Sequence, residues 1–164
     1  NVDFTLHTPK HALEVLWLRS EADSHTGPVV EAIVNRLARH AKADPLNYRR
    51  KLLANNNDAF RILGVLDALQ QTSNWDLPQP KDVFRGVAVH PSFGSVAVYV
   101  VDIKKTGKQL SFHKVTAAMD CGRVINPAGV KAQIYGSVAF ALSRSMGQKI
   151  GNENGAAVKS NFQD

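Results

Sequence analysis

Residues 119–136 carry the side chains whose types and spacing are best suited to chemistry. The segment begins Met119-Asp120-Cys121-Gly122-Arg123-Val124-Ile125-Asn126-Pro127 and continues to Gln133-Ile134-Tyr135-Gly136. This order predicts a strand that runs into Gly122, followed by a helix with Asn126 as its cap and Pro127 as its first residue. A loop and a helix N-terminus would then face the same space, which is how a chain presents backbone N–H groups to an anionic ligand.

Cys121 is the only cysteine of the chain, and it could be taken for a nucleophile. Nothing adjacent pairs it with a general base, however, and a cysteine at a strand end is more often a small buried hydrophobic residue. We interpret Asp120 and Asn126 as the turn and cap groups that shape the loop. The six histidines have no spacing typical of metal ligands on the predicted elements, so no metal site is predicted.

Three helices are predicted ahead of this segment. Residues 13–19 form an apolar run typical of a buried strand, and the polar residues 20–26 then predict a loop. An amphipathic helix follows from Gly27-Pro28, and Asp44-Pro45 opens a second helix through Leu53. A cluster of basic residues lies near the C-terminal end of this second helix, where the helix dipole favours cations: Arg49, Arg50 and Lys51. The apolar spacing after residue 57 supports a third helix.

The second half of the chain changes to a strand pattern. Residues 85–90, 95–104 and 109–119 are rich in Val, Ala, Phe and Tyr, and Thr106-Gly107 marks a hairpin turn. The helix that Asn126 opens has an apolar stripe, formed by Val130, Ile134, Val138, Ala141 and Leu142. Residues 151–155 predict a turn between two short strands, and residues 158–162 have a strand-like composition.

Helices followed by antiparallel strands with one covering helix predict an α+β fold. At 164 residues and 44% hydrophobic content, the chain can bury one substantial core. We expect a single compact unit over residues 1–164, with a helical part to about residue 74, a Pro-containing linker at about 75–83, and a sheet-plus-helix part from about 84 to 164.

The charge and composition exclude some function classes. No apolar run reaches membrane-spanning length, and the first residues lack the order of a signal peptide. The net charge of +6 fits either an anionic partner or a solubilising surface. Basic residues interleaved with aromatics, a Walker-type phosphate loop and a Rossmann fingerprint are all missing from the sequence, so we expect no nucleic-acid partner.

The Asp-Cys-Gly, Asn-Pro, Gln and Gly pattern of residues 120–136 closely resembles the molybdopterin-binding subunit of the xanthine dehydrogenase and aldehyde oxidase family, nearest to the branch of the isoquinoline 1-oxidoreductase beta subunits. The resemblance extends over residues 19–164 and includes further motifs in the same order, namely Asp44-Pro45, Arg49 to Leu53, Arg85 to His90, and Ser92 to Ser95. Several motifs in one order are far more specific than a single short one.

The resemblance implies roles for individual residues. Arg19, with Ser20 and the residues that follow it, is similar to the segment at the family's active-site arginine, which orients the substrate or stabilises developing charge. Gln133 matches a family glutamine whose amide reaches the molybdenum cofactor. The resemblance implies that Gly122 and Asn126 bind the cofactor as well. The alternatives from the residues themselves are a surface arginine at position 19 and a buried, backbone-capping glutamine at position 133.

The same resemblance implies a molybdenum–molybdopterin cofactor and a reaction that hydroxylates N-heteroaromatics or aldehydes with oxygen from water. It also implies a small subunit with two 2Fe–2S clusters and, in this branch, often a cytochrome electron acceptor. The family's catalytic glutamate, in a Gly-Glu-Pro-type motif, is missing from these residues. We therefore expect the chain to be an internal part of a longer subunit, to be inactive alone, and not to retain the cofactor.

Two other functions remain open from the sequence. Tyr135 replaces a glutamate that is usual in the family, and Ala22 replaces a glycine, as in a non-catalytic interaction domain that keeps the fold without the chemistry. A basic module that binds an anionic polymer is the third hypothesis, favoured by charge alone.

Overall fold

The computed structural model describes residues 17–161 together with positions 5, 7, 8 and 10. It has four α-helices within these residues: α1 (Asp23–His40), α2 (Pro45–Leu53), α3 (Phe60–Ser73) and α4 (Pro127–Met146). One turn of 3-10 helix, Asn57–Ala59, leads into α3. The strands are β1 (Val83–Ser92), β2 (Ser95–Thr106), β3 (Gln109–Asp120), β4 (Asn152–Glu153) and β5 (Ala156–Ala157). The α+β prediction, with helices first and an antiparallel sheet after them, is confirmed.

The first helix begins at Asp23, ahead of the predicted start at Gly27-Pro28, so the loop expected over residues 20–26 is only a turn at 19–22. Pro28 lies inside α1. At this position, in the second turn, the proline removes one backbone hydrogen bond of the helix. Thr26 Oγ1 donates to Ala22 O at 3.0 Å in the first turn.

The second helix begins as predicted. Asp44 caps α2, and its Oδ1 accepts a hydrogen bond from Asn47 N at 2.9 Å. The other carboxylate oxygen of Asp44 accepts from the indole N–H of Trp75 at 2.7 Å, which ties α2 to the segment after α3. Asn74 ends α3 in the left-handed conformation, with φ of 52°.

The three long strands form one antiparallel sheet in the order β1-β2-β3. A two-residue turn, Gly107 and Lys108, joins β2 to β3, and Gly107 adopts φ of +61°, so the predicted hairpin is confirmed. The side chains of β2 alternate between the two faces: Val96, Val98 and Val100 are buried, whereas the residues between them are half-buried. This period of two assigns the first set to the core side.

The core lies between this valine face and the helices. It contains buried aliphatic side chains from α2, α3 and the two strands β1 and β2: Leu46, Val65, Leu66, Leu69, Val87, Val96, Val98 and Val100. Helix α3 contacts both β2 and β3, and α1 contacts β1. The three N-terminal helices therefore cover one face of the sheet.

Helix α4 lies toward the opposite face. Tyr99, which alternates with the core valines, has its OH 3.3 Å from Ser137 Oγ of α4. The predicted stripe is half-buried at Val130, Ile134, Val138 and Leu142, whereas Ala141 is exposed, contrary to the prediction. No residue of α4 is fully buried.

The last two strands form a short hairpin, as predicted, but β4 lies inside the range 151–155 that was predicted as the turn. Asn154 and Gly155 connect β4 and β5, and both have positive φ, as a two-residue hairpin turn requires. Residues 158–161 do not continue as a strand, contrary to the sequence pattern, and residue 162 lies outside the described residues. The short hairpin ends after two residue pairs.

The strand predicted at residues 13–19 falls mainly outside the described residues. Its last three residues, Trp17, Leu18 and Arg19, are exposed and form no strand, since no described strand pairs with them. Among the helices of the described part, none is long and apolar enough to cross a membrane.

Candidate functional site

The antiparallel order brings three chain segments to one end of the sheet. Ser92 ends β1, Ser95 begins β2 and Asp120 ends β3. The first turn of α1 is held at the same end, because Ser92 Oγ donates a short hydrogen bond to Asp23 Oδ2. His90 Nε2 also lies 3.2 Å from Asp23 Oδ1, at ion-pair distance but outside hydrogen-bond geometry. Arg19 precedes the first turn of α1, and Gly122 and Asn126 follow Asp120, whereas Gln133 lies further along the chain, in α4.

Arg19 and Gln133 lie in contact although 114 residues separate them in sequence. Arg19 Nη2 donates to Gln133 Oε1 at 2.7 Å, and both side chains are exposed. Arg19 is in the turn before α1, and Gln133 is in the second turn of α4. The alternative of a buried, backbone-capping Gln133 is wrong, because this amide is exposed and binds a side chain.

The contact with Arg19 fixes the orientation of the Gln133 amide. A guanidinium group can only donate hydrogen bonds, so the amide oxygen has to face it. The Nε2 group of Gln133 then points away from Arg19. The amide N–H groups of Gln133 therefore have no hydrogen-bond partner within the described residues.

The backbone beside Arg19 is held in an uncommon conformation. Ser20 and Glu21 have φ of 69° and 46°, in the left-handed region that residues other than glycine seldom adopt. Two turn hydrogen bonds maintain it, from Glu21 N to Leu18 O and from Asp23 N to Ser20 O, both at 2.9 Å. Ala22, where the related pattern has glycine, has φ of −61°, so this position requires no glycine here.

The loop of residues 121–126 follows β3 and leads into α4. Gly122 has φ of +74°, and its N–H donates to Asp120 Oδ1 at 2.8 Å. Asn126 caps α4 as predicted, accepting from Ala128 N at 3.1 Å and Gly129 N at 3.2 Å. Asp120 and Asn126 are thus the turn and cap groups that the sequence indicated.

The cap changes which N–H groups the loop can offer. Asn126 Oδ1 accepts from the N–H groups of Ala128 and Gly129, Val130 N donates to Asn126 O, and Pro127 has no N–H. The first turn of α4 therefore presents no free donor, contrary to the expectation. The N–H groups of residues 123–126 donate to no group of the described chain, and these four residues are exposed. The backbone N–H groups without a partner in the described chain therefore lie in the loop and not at the N-terminus of α4.

Arg61 anchors this loop, and the sequence interpretation missed it. Its Nε donates to Asp120 Oδ2 and its Nη2 to Asp120 Oδ1, both at 2.8 Å, as a two-pronged pair. Its Nη1 donates to Gly94 O, also at 2.8 Å, in the turn between β1 and β2. One signal was available, because Arg61 is a cation in the first turn of a helix, where the dipole disfavours positive charge.

Two carboxylates at this end of the sheet have lowered pKa values. The Arg61 guanidinium and then the Gly122 N–H hold the pKa of Asp120 far below its usual range. The hydrogen bond from Ser92 and the neighbouring His90 lower the pKa of Asp23. The pKa of Arg61 is raised by its hydrogen bonds to Asp120. Both carboxylates are therefore charged near neutral pH and act as hydrogen-bond acceptors.

Arg49 is a buried residue that pairs with Glu31, and it is not merely a cation near the end of a helix. Only 3% of it is exposed, and Arg49 Nη2 lies 2.5 Å from Glu31 Oε2. The same guanidinium donates to Asn35 Oδ1, Pro45 O and Val87 O, and Glu31 Oε2 also accepts from Val89 N. The pair joins α1, α2 and β1, so the dipole explanation for the basic cluster is wrong for Arg49.

The described residues hold no group of three His, Cys, Asp or Glu side chains that could bind a metal ion. Cys121 is half-buried. Three surface grooves of about 360, 340 and 320 Å³ are lined by α1–α3, the sheet and its turns, and neither Arg19 nor Gln133 lines any of them. Both residues of the Arg19–Gln133 pair are exposed.

Comparison with known proteins gives one family match. The profile of the family described as "Molybdopterin cofactor-binding domain" matches residues 33–164. The matched region contains Gln133, the loop 121–126 and Arg61, whereas Arg19 lies ahead of it. No solved structure matches the chain significantly.

Three curated proteins are similar to the chain. The beta subunit of isoquinoline 1-oxidoreductase from Brevundimonas diminuta is 27% identical over 96% of this chain and 20% of its own length. The membrane-bound aldehyde dehydrogenase [pyrroloquinoline-quinone] of Gluconacetobacter polyoxogenes is 28% identical over 89% of the chain and 21% of its own length. A nicotinate dehydrogenase subunit of Pseudomonas putida is 27% identical over 84% of the chain and 13% of its own length. The chain spans about a fifth or less of these relatives.

Proposed function

Because the chain belongs to the molybdopterin cofactor-binding domain family, we propose that it forms one wall of the active-site pocket of a molybdenum hydroxylase. The parent protein, meaning the longer subunit of which we propose the chain is a part, has molybdenum–molybdopterin as its cofactor. The observation that supports the proposal best is the 2.7 Å hydrogen bond between Arg19 and Gln133. It joins the residue expected to face the substrate to the residue expected to face the cofactor.

The residues on this surface fit an anionic, acceptor-rich cofactor. Gln133 directs its amide N–H groups outward, and the exposed loop 123–126 offers backbone N–H groups without partners in the described chain. Both kinds of donor bind phosphate and pterin oxygens well. Arg123 adds a positive charge within the loop. The exposed pair of Arg19 and Gln133 is what one wall of a composite pocket would present.

The proposed reaction replaces a C–H bond of an N-heteroaromatic compound or an aldehyde with C–OH. Water supplies the oxygen, and two electrons and two protons leave. When bound, the molybdenum centre would accept the two electrons and activate the water-derived oxygen for this replacement. Arg19 has donors left after its bond to Gln133, and these bind the substrate's carbonyl oxygen or ring nitrogen and stabilise the negative charge that develops there.

Other parts of the proposal rest on the family resemblance. The base is a glutamate from a Gly-Glu-Pro-type motif outside these residues, so the isolated chain is inactive and does not retain the cofactor. The partners are a small subunit with two 2Fe–2S clusters and, in this branch, a cytochrome acceptor. Two of the similar proteins carry the word subunit in their names, which agrees with an enzyme of several chains.

The direct test is turnover by the parent protein with isoquinoline and aldehyde substrates, measured as dye reduction. Arg19→Lys keeps the charge but loses the planar donors, and we expect kcat to fall about 100-fold, as on removal of a charge-stabilising donor. The matched control is Arg36→Lys, an exposed arginine of α1, which should leave kcat unchanged.

Three results would contradict parts of the proposal. Equal kcat values for the two lysine variants would remove the role of Arg19. Dye reduction by the pure 164-residue chain would contradict the single-wall assignment. A parent protein that has neither turnover nor molybdenum would favour the non-catalytic interaction domain, the alternative that the exposed Tyr135 at a usual glutamate position allows.

A further inference from the structure

The geometry points to Arg61 as a positioning residue that sets the shape of the cofactor loop 121–126. This inference rests on the proposed function, because it assumes that the loop binds the cofactor. Arg61 belongs to α3, which lies on the opposite side of the sheet from α4. It reaches the loop through Asp120, at the last position of β3.

The contacts form a continuous series from α3 to the loop. The guanidinium binds both carboxylate oxygens of Asp120, and Nη2 also approaches the backbone oxygen of Asp120 at 3.4 Å. The same carboxylate accepts from Gly122 N, which fixes the first turn of the loop. The third nitrogen of the guanidinium, Nη1, donates to Gly94 O. Arg61 therefore links the β1–β2 turn to the first residues of the loop.

The loop has few other supports. Its far end is fixed by the Asn126 cap, and residues 123–126 donate no backbone N–H to the described chain. Two anchors therefore define the conformation of the exposed donors: the Arg61–Asp120–Gly122 contacts at the start and the cap at the end. Loss of the first anchor frees the donors to reorient, and preorganised donors bind a ligand more tightly than mobile ones.

The chain contains a closely matched control pair. Arg85 binds Asp102 in the same two-pronged way, with Nε to Oδ1 at 2.7 Å and Nη2 to Oδ2 at 3.0 Å. Its Nη1 also holds one backbone oxygen, that of Asn74, at 3.1 Å. This pair joins the start of β1 to the far part of β2, at the other end of the sheet from Asp120. It is also the more buried of the two pairs.

The experiment compares Arg61→Gln with Arg85→Gln in the parent protein. Two quantities are measured: molybdenum per folded polypeptide, and backbone amide exchange of a peptide that covers residues 120–126. We expect Arg61→Gln to lower molybdenum occupancy about tenfold, the lower end of the effect of residues that orient ligands. Within this peptide, the Gly122 amide, which donates to Asp120 Oδ1, should exchange about fivefold faster, because loss of Arg61 frees the carboxylate that accepts its hydrogen bond. Arg85→Gln should lower the melting temperature and leave both quantities unchanged.

Each outcome decides between a positioning and a merely structural role. Unchanged occupancy and unchanged exchange in Arg61→Gln would overturn the inference, and so would equal losses in Arg85→Gln. If Arg61→Gln does not fold, Arg61→Lys retains the charge and is judged by the same two measurements. If the wild-type parent contains no molybdenum, the proposed function fails, while amide exchange at 120–126 still tests whether Arg61 holds the loop.

Discussion

Replacement of Arg49 by methionine should destabilise the fold strongly. The Arg49 and Glu31 side chains are only 4% and 13% exposed, so their ion pair lies in a region of low dielectric. Arg49→Met leaves the Glu31 carboxylate without its cationic partner, and breaking a buried pair in this way costs about 3–5 kcal/mol. For a chain of this length, that loss corresponds to a fall in melting temperature of roughly 6–20 °C.

The neighbouring residue is the control. Arg50 also lies in α2 and pairs with an aspartate, Asp67, at 2.7 Å, but its pair is 24% and 62% exposed. Water screens such a pair, so Arg50→Met should cost no more than about 1 kcal/mol. Both free energies of unfolding come from urea titrations followed by circular dichroism, with the slope m compared between variants.

A double variant tests the cause of the loss. Glutamine at position 31 can still accept the hydrogen bond that Val89 N donates to Glu31 Oε2. Arg49→Met combined with Glu31→Gln should therefore be more stable than Arg49→Met alone, by about 0.5–3 kcal/mol. The reasoning is refuted if Arg49→Met and Arg50→Met lose stability to within about 1 kcal/mol of each other, which is less than the difference between buried and exposed pairs.

Three further predictions concern the loop between β3 and α4. Asn126→Ala removes the cap of Ala128 N and Gly129 N and should lower the free energy of unfolding by about 1 kcal/mol in urea titration; no change would contradict the capping role. Gly122→Ala meets no atom within 4 Å but needs φ of +74°, so the free energy of unfolding measured by calorimetry should fall by about 1–2 kcal/mol from backbone strain alone. The pKa of Asp120 is lowered when the chain is folded. The Asp120 carboxylate therefore contributes to stability above pH 3.8, its usual pKa, and this contribution is lost progressively as the pH falls below that value. Urea titrations from pH 6 to pH 3 should therefore bring wild type and Asp120→Asn closer together in stability, and parallel curves would exclude this linkage.

Local signals were sufficient to predict most elements of the fold. The pairs Asp44-Pro45 and Asn126-Pro127 both mark real helix starts, because a cap side chain followed by proline suits the first turn and few other conformations. The alternation of β2 likewise gave its core face. The start of α1 was predicted too late, because Ser92 and His90 hold Asp23 through contacts between segments that are distant in sequence.

The candidate site was predictable only in part. Arg19 and Gln133 were found through the family resemblance, but their contact depends on how the turn before α1 meets α4, which no local pattern encodes. The role of Arg61 depends on Asp120, which is 59 residues away in sequence. The burial of the Arg49–Glu31 pair depends on the packing of α1, α2 and β1. Long-range polar contacts of this kind have no periodicity that a sequence pattern could show.

The molybdenum content of the purified parent protein tests the central claim most directly. Elemental analysis of the wild type and of Gln133→Ala, at equal amounts of folded polypeptide, measures whether this surface binds the cofactor. We expect stoichiometric molybdenum in the wild type and a clear loss in Gln133→Ala, because the outward-facing amide donors disappear. A wild-type protein without molybdenum, or one that carries a quinone cofactor such as that in the name of the related aldehyde dehydrogenase, would contradict this claim.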